Sequence, residues 1–169
     1  MNDNLVEIEK DPQSGREMLE QLAKTGDFVF HGSPDKLERL EPRQQMHLNE
    51  ETGKSEPDGE PAVCATISPE VAIFRSLVSS HVAKRAGLKW YWSEFGMRDG
   101  KPHFKATPES ISQATKSNSI GYVHIFNKKG FDQHDRLEWR AYQEVEPVYV
   151  IEVKGSDLPD NIEIIPEPQ

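Results

Sequence analysis

Three helix-start signals, separated by short apolar runs, restrict most strongly what this chain can fold into. Ser14-Gly15-Arg16-Glu17 fits a capping box, in which the serine hydroxyl and the glutamate carboxylate each bind a free backbone amide. Ser68-Pro69-Glu70 and Thr107-Pro108-Glu109 each place a hydroxyl at the N-cap, proline at the first helical position and an acid in the first turn. The sequence therefore predicts a short helix after each signal.

Strand candidates lie between and after these helix starts. They are short and contain small apolar, β-branched or aromatic residues, which is typical of buried or half-buried strands. The predicted strands are 27–30, 62–66, 121–126, 138–142, 148–153 and an edge strand at 160–165. Residues 46–60 are polar and contain glycine, proline and acids, which predicts an exposed loop. The predicted fold class is α+β.

Chain length and charge limit the classes of protein to consider. A chain of 169 residues is long enough for one domain with a core and too short for two comfortable ones. Its 29 acidic and 20 basic side chains give a formal net charge of −9. We therefore do not expect it to coat duplex nucleic acid or an anionic membrane, since both require a positive surface. A small anionic ligand held by a few local arginines remains compatible with this charge.

The compartment and metal content follow from what the sequence lacks. No stretch approaches the ~20 apolar residues of a membrane span, and residues 1–7 have neither a basic start nor an apolar run. We expect a cytoplasmic protein. Cys64 is the only cysteine, so an internal disulfide and a thiolate metal site are excluded. Apart from His31, the histidines show no ligand-pair spacing, so we expect no metal. They are His47, His81, His103, His124 and His134.

The residues that are best suited to binding or catalysis follow the first predicted strand. After Phe30 the chain continues His31-Gly32-Ser33-Pro34. Glycine lets a backbone approach a ligand closely, the imidazole of His31 can donate one hydrogen bond and accept another, and Ser33 adds a hydroxyl. On these four residues alone, a simple turn with a satisfied strand-end histidine is the better interpretation.

The order of several short blocks changes that interpretation. His31-Gly32-Ser33, then Cys64-Ala65-Thr66, then Ala72-Ile73-Phe74 and finally Glu138 follow one another along the chain. This order resembles the ADP-ribosyltransferase superfamily, in particular its small bacterial and phage members. The resemblance spans about residues 27 to 153. It implies a single domain with a split antiparallel sheet core and short helices over 27–169, preceded by an N-terminal helical segment over 1–26.

The resemblance also implies an activity. Members bind NAD as a substrate, release nicotinamide and transfer ADP-ribose to a macromolecular acceptor, which we expect here to be a protein. Glu138 matches the catalytic glutamate, whose carboxylate would stabilise the positive charge that develops on the ribose. His31 would be the second catalytic residue and would orient a ribose or the nicotinamide amide.

The NAD-binding residues implied by the resemblance surround these two. Backbone atoms of Gly32 would bind the nicotinamide amide, and the ring of Phe74 would lie against the cationic nicotinamide ring. Arg43 or Arg75 would bind the pyrophosphate, because a guanidinium matches phosphate oxygens. The remaining residues of the implied NAD site are His31, Ser33 and Thr66.

The sequence departs from the family pattern at two positions. Cys64 stands where members have tyrosine or phenylalanine, so another residue, such as Tyr91, would have to supply that ring. Arg136 stands two positions before Glu138, where members that modify arginine have an acid or glutamine, which argues against arginine as the acceptor. Glu144 is a rival position for the functional acid.

Two other functions stay open at this point. The chain could be a catalytically inactive binding or inhibitor module of the same fold, with Trp90-Tyr91-Trp92 as a partner-binding patch. It could also be an RNA-processing transferase of a related fold that removes a phosphate. That enzyme needs several cations facing the RNA phosphate, and the sequence offers Arg43, Arg75 and Lys36.

Overall fold

A computed structural model describes residues 14–166, and helices and strands alternate along this part of the chain. The helices are α1 (Gly15–Lys24), α2 (Pro69–Leu77), α3 (Ser80–Arg85) and α4 (Pro108–Ala114). The strands are β1 (Phe28–Ser33), β2 (Met46–Asn49), β3 (Lys54–Pro57), β4 (Val63–Thr66), β5 (Ser93–Arg98), β6 (Lys101–Ala106), β7 (Ile120–Asn127), β8 (Asp132–Gln133), β9 (Glu138–Ala141), β10 (Tyr149–Lys154) and β11 (Ile162–Ile164). The predicted α+β class is confirmed.

A six-stranded sheet forms the centre of the molecule. Its strand order is β10-β7-β1-β4-β9-β8, and each neighbouring pair is antiparallel. A second sheet has the order β11-β6-β5, with β11 parallel to β6, and β2 and β3 form a separate hairpin. No helix in the described part of the chain has the length and apolar character needed to cross a membrane.

The predicted helix starts are confirmed at α1, α2 and α4. The hydroxyl of Ser14 accepts a hydrogen bond from the backbone N–H of Glu17, and Ser68 does the same for Val71. A further helix, α3, was not expected. It begins because α2 ends at Leu77 and the hydroxyl of Ser79 then caps a new turn.

Two apolar clusters cover opposite faces of the central sheet. Neighbouring strand residues point to opposite faces, and Phe30 belongs to the cluster beneath α1 and α2 whereas Val29 belongs to the other. Leu19 and Leu22 of α1 are fully buried in the first cluster. The helix of the N-terminal segment therefore shares its core with the rest of the domain.

The structure corrects three expectations about strands. The predicted loop at 46–60 contains the hairpin β2–β3, and the hairpin β5–β6 was not predicted at all. Most residues of β2, β3 and β5 are exposed, so these strands lack the alternation of buried and exposed positions that reveals a strand. The first strand also continues past Phe30, its predicted end: β1 pairs with β7 as far as Ser33 opposite Tyr122.

Candidate functional site

A cleft opens where β1 and β4 separate. Among the described residues, the register of these two strands consists of the pair Phe30 and Thr66. Beyond that pair, the side chain of His31 fills the gap, and its Nδ1–H donates a 2.7 Å hydrogen bond to the carbonyl oxygen of Cys64. The cleft has a volume of about 400 Å³, within the size range of small-molecule sites.

Five of the predicted site residues line this cleft: His31, Gly32, Thr66, Glu138 and Arg75, the alternative to Arg43. Thr66 on β4 and Glu138 on β9 lie directly opposite each other in the sheet register. Strand pairing therefore brings the glutamate to the cleft edge that His31 occupies from β1. Glu144, the rival acid, is exposed and forms an ion pair with Arg39.

Three other predicted site residues do not line the cleft. Ser33 is buried, and its hydroxyl accepts a hydrogen bond from the backbone N–H of Asp35, so it closes a turn. Arg43 is exposed outside the cleft wall. Phe74 is 1% exposed, and its ring centroid lies 4.9 Å from that of Phe104 in the core. The prediction that Phe74 faces a ligand is wrong, because its side of α2 packs inward.

Glycine is required at position 32 for a reason other than the expected approach of a ligand. A Cβ added there would lie 1.9 Å from the carbonyl oxygen of Ala72 and 2.9 Å from the backbone nitrogen of Ser76. The close approach that glycine permits is therefore to helix α2, although the residue also borders the cleft. Gly32 allows α2 to pack directly on β1.

A buried arginine fixes the Glu138 carboxylate. The side chain of Arg140 is 4% exposed, and its Nε and Nη2 donate to Oε2 of Glu138 at 3.0 and 2.9 Å. The same guanidinium also donates to Asp58, at the carboxylate (2.8 Å) and at the backbone carbonyl (3.0 Å). Arg140 therefore orients the Glu138 carboxylate through Oε2.

A second histidine lies behind His31: the ring centroids of His31 and His124 are 6.2 Å apart and the rings meet edge to face. His124 is fully buried; its Nε2 accepts from the backbone N–H of Leu37, and its Nδ1–H donates to the backbone carbonyl of His31. Burial lowers the pKa of His31 to about 4 and also lowers the pKa of His124. Since Nδ1 of His31 carries the proton that bonds Cys64, its Nε2 is the ring atom that can accept a hydrogen bond from a ligand.

These lowered pKa values predict that acid destabilises the fold. Between pH values near the unfolded His31 pKa of 6.5 and the folded pKa of about 4, the unfolded chain binds more protons than the folded one. Stability is therefore present above the unfolded pKa and is lost as pH falls through this window, by up to about 3 kcal/mol for His31.

Urea unfolding of wild type and His31→Gln at about pH 7 and about pH 4 measures this loss. We expect a smaller loss in His31→Gln, and wild-type behaviour in His47→Gln, which alters an exposed histidine. An equal loss of unfolding free energy in all three proteins would show that His31 is not the source of the acid sensitivity.

Cys64 borders the cleft as a neutral thiol. Burial, reinforced by the negative charge of Glu138, raises the pKa of Cys64 to about 12. A thiol is a poor nucleophile until it ionises, so this cysteine does not supply one at neutral pH.

One group of side chains has the composition of a metal site. Ligand atoms of His134, Asp135 and Glu138 lie within 4.8 Å of one another. However, Oδ1 of Asp135 accepts the backbone N–H groups of Leu137 and Glu138, and Oε2 of Glu138 accepts from Arg140. These protein partners already account for the grouping, so it does not by itself indicate a metal.

Sequence reasoning missed the aromatic side chain and one of the cations at the cleft. Phe95 of β5 and Arg136 of the segment before β9 both line it, and the guanidinium carbon of Arg75 lies 5.4 Å from the Phe95 ring centroid. Tyr91, the ring expected to replace the missing aromatic at Cys64, is not among the lining residues. Phe95 could have been found only if the exposed hairpin had been predicted.

Comparisons of the chain with protein-family models, curated proteins and solved structures find no match. The functional argument therefore depends on the geometry of the cleft. That geometry combines an oriented carboxylate, a neutral imidazole acceptor, an exposed aromatic ring and guanidinium groups.

Proposed function

We propose that the protein binds NAD in this cleft, breaks its nicotinamide–ribose bond and transfers ADP-ribose to an acceptor. The observation that carries the proposal is that His31 and Glu138, which are far apart in sequence, line one cleft of about 400 Å³. The order of motifs along the chain also points to this pair of residues. Strand pairing brings Glu138 to the cleft that His31 lines, which supports the proposal.

The cleft residues match the parts of NAD. Nε2 of His31 can accept a hydrogen bond from a ribose hydroxyl, because the ring is neutral and held by Cys64. Phe95, rather than Phe74, offers the aromatic face that favours a cationic nicotinamide ring. Arg75 is exposed at the cleft and forms no ion pair within the described residues, so its guanidinium is free for pyrophosphate oxygens.

Glu138 acts on the charge that develops at the sugar. When the nicotinamide–ribose bond breaks, its electron pair leaves with the nicotinamide nitrogen and the ribose becomes cationic, like an oxocarbenium ion. The Glu138 carboxylate stabilises that cation, and Arg140 holds the carboxylate in place before the bond breaks. The acceptor nucleophile then bonds to the sugar carbon and gives up its proton.

Nicotinamide release from NAD tests the proposal directly. Wild-type protein incubated with NAD, followed by chromatography, is expected to yield free nicotinamide and either ADP-ribose or a modified acceptor. Titration calorimetry measures NAD binding in parallel. An absence of release at protein concentrations that saturate the binding site would contradict an enzymatic role.

A second candidate is a binding module of the same architecture that does not turn NAD over. The observation that favours it is Cys64, which leaves β4 without an aromatic ring at the cleft. NAD binding in the calorimeter together with no release of nicotinamide would support this candidate. Release that depends on Glu138 would exclude it.

A further inference from the structure

The arginines of this protein divide into two groups. Arg16, Arg39, Arg85 and Arg140 form ion pairs with acids. The others in the described part of the chain are exposed and have no ion-pair partner there; they are Arg43, Arg75, Arg98 and Arg136. Because the chain as a whole has a net charge of −9, acids are abundant, and guanidiniums left without one are informative.

Two of the unpaired arginines line the candidate site, and two lie near it. Arg75 and Arg136 line the cleft from α2 and from the segment before β9. Arg98 does not line the cleft but ends β5 one residue after the lining residue Met97. Arg43 is close enough to His31 to contribute to the lowering of its pKa. Positive charge concentrated at one cleft of an acidic protein attracts an anion to that cleft.

Two nearby acids do not cancel this charge, because each forms an ion pair of its own: Glu138 with Arg140, and Glu94 on β5 with Lys105. Asp135 accepts two backbone N–H groups through Oδ1 and keeps its negative charge, so it offsets one guanidinium at most. One or two guanidiniums suffice for the pyrophosphate of NAD, so the remaining arginines point to a second ligand with several phosphates.

Exposed aromatic rings accompany these arginines. Trp92, which directly precedes β5, and Phe95 within β5 are 43% and 37% exposed, and Arg75 stacks on the Phe95 ring. Guanidiniums that follow a phosphate backbone, combined with rings on which bases stack, are the usual elements of a single-strand binding site. An acidic protein segment would use the arginines and leave the rings without a role.

We propose that this surface binds a single strand of nucleic acid and that the strand is the acceptor of ADP-ribose. The surface consists of Arg43, Arg98 and Arg136 with Trp92, and Arg75 and Phe95 remain with NAD. The role as acceptor rests on the proposed function, whereas strand binding does not. In the transfer, a nitrogen or phosphate oxygen of the strand bonds to the ribose carbon, nicotinamide leaves with the electron pair, and any proton on the nucleophile passes to solvent.

Fluorescence anisotropy with a labelled single-stranded oligouridylate of about ten nucleotides tests the binding step. We expect the triple variant Arg43→Gln, Arg98→Gln, Arg136→Gln to bind at least about tenfold more weakly than wild type. The slope of log affinity against log salt is expected to shrink by about 0.7 for each arginine removed, or about 2 in total. Arg39→Gln is the matched control, because Arg39 is exposed but paired with Glu144, and its affinity should equal that of wild type.

Three results would overturn strand binding. These are no salt-dependent binding by wild type, equal binding by the triple variant, or displacement of the strand by oligoaspartate as effectively as by unlabelled strand. The last result would make an acidic protein segment the occupant.

A separate assay with NAD and oligouridylate detects ADP-ribosylated strand by mass spectrometry. Nicotinamide release without strand binding overturns this inference and leaves the proposed function, whereas strand binding without release overturns the proposed function and leaves the binding surface.

Discussion

Glutamine in place of Glu138 is expected to lower the rate of nicotinamide release by about 10²- to 10³-fold. The substitution keeps the size of the side chain but removes the negative charge that stabilises the cationic sugar. Because Glu138 is half-buried and its partner Arg140 also binds Asp58, the guanidinium keeps one carboxylate partner and the fold is expected to persist. NAD affinity should change much less than the rate, since the charge acts mainly in the transition state.

Glu144→Gln is the matched control for this experiment. It makes the same chemical change at the rival acid, which is exposed and paired with Arg39 rather than placed in the cleft. Release by this variant should match that of wild type when both are assayed by chromatography with saturating NAD. A similar loss in both variants, or no loss in Glu138→Gln, would remove Glu138 from the reaction.

Alanine in place of Gly32 is expected to destabilise the protein by about 3 kcal/mol or more. The added methyl group would lie 1.9 Å from the Ala72 carbonyl oxygen, so helix α2 would have to move away from β1. That movement is costly because Ile73 and Phe74 on the same helix are fully buried in the core. Urea unfolding followed by circular dichroism measures the free energy of unfolding.

Gly96→Ala provides the comparison for Gly32→Ala. Gly96 also lines the cleft, but a Cβ added there meets nothing within 4 Å. Its free energy of unfolding is expected to stay within about 0.5 kcal/mol of wild type. Equal destabilisation by the two substitutions would show that the contact between Gly32 and Ala72 is not what limits this position.

Local signals in the sequence predicted the helix starts, because capping depends on residues only a few positions apart. Ser14 and Ser68 cap the helices that they were expected to cap. The hairpins β2–β3 and β5–β6 were missed for the opposite reason. The side chains of β2, β3 and β5 are largely exposed on both faces, so the hydrophobic pattern that would reveal these strands is absent. Strand β6 buries Phe104 and Ala106, but this alternation covers only its last three residues.

The candidate site was predictable only where the order of blocks along the chain suggested it. That order pointed to His31 and Glu138, which the structure places at one cleft. It also pointed to Phe74, but α2 is buried on most of its sides, and sequence periodicity could not tell its cleft side from its core side. Phe95 could not be found in this way, since it reaches the cleft from a separate sheet.

The shared guanidinium of Arg140 has a consequence for how this sequence can diverge. One planar fork serves the acid on β9 and the acid that follows β3, two positions that lie 2 and 82 residues from Arg140 along the chain. A lysine ammonium has no such fork and cannot reproduce both contacts. A substitution at Asp58, Glu138 or Arg140 is therefore expected to be tolerated only with compensating changes at the other two positions. This restricts Asp58, at the end of the hairpin β2–β3, although most of that hairpin is exposed.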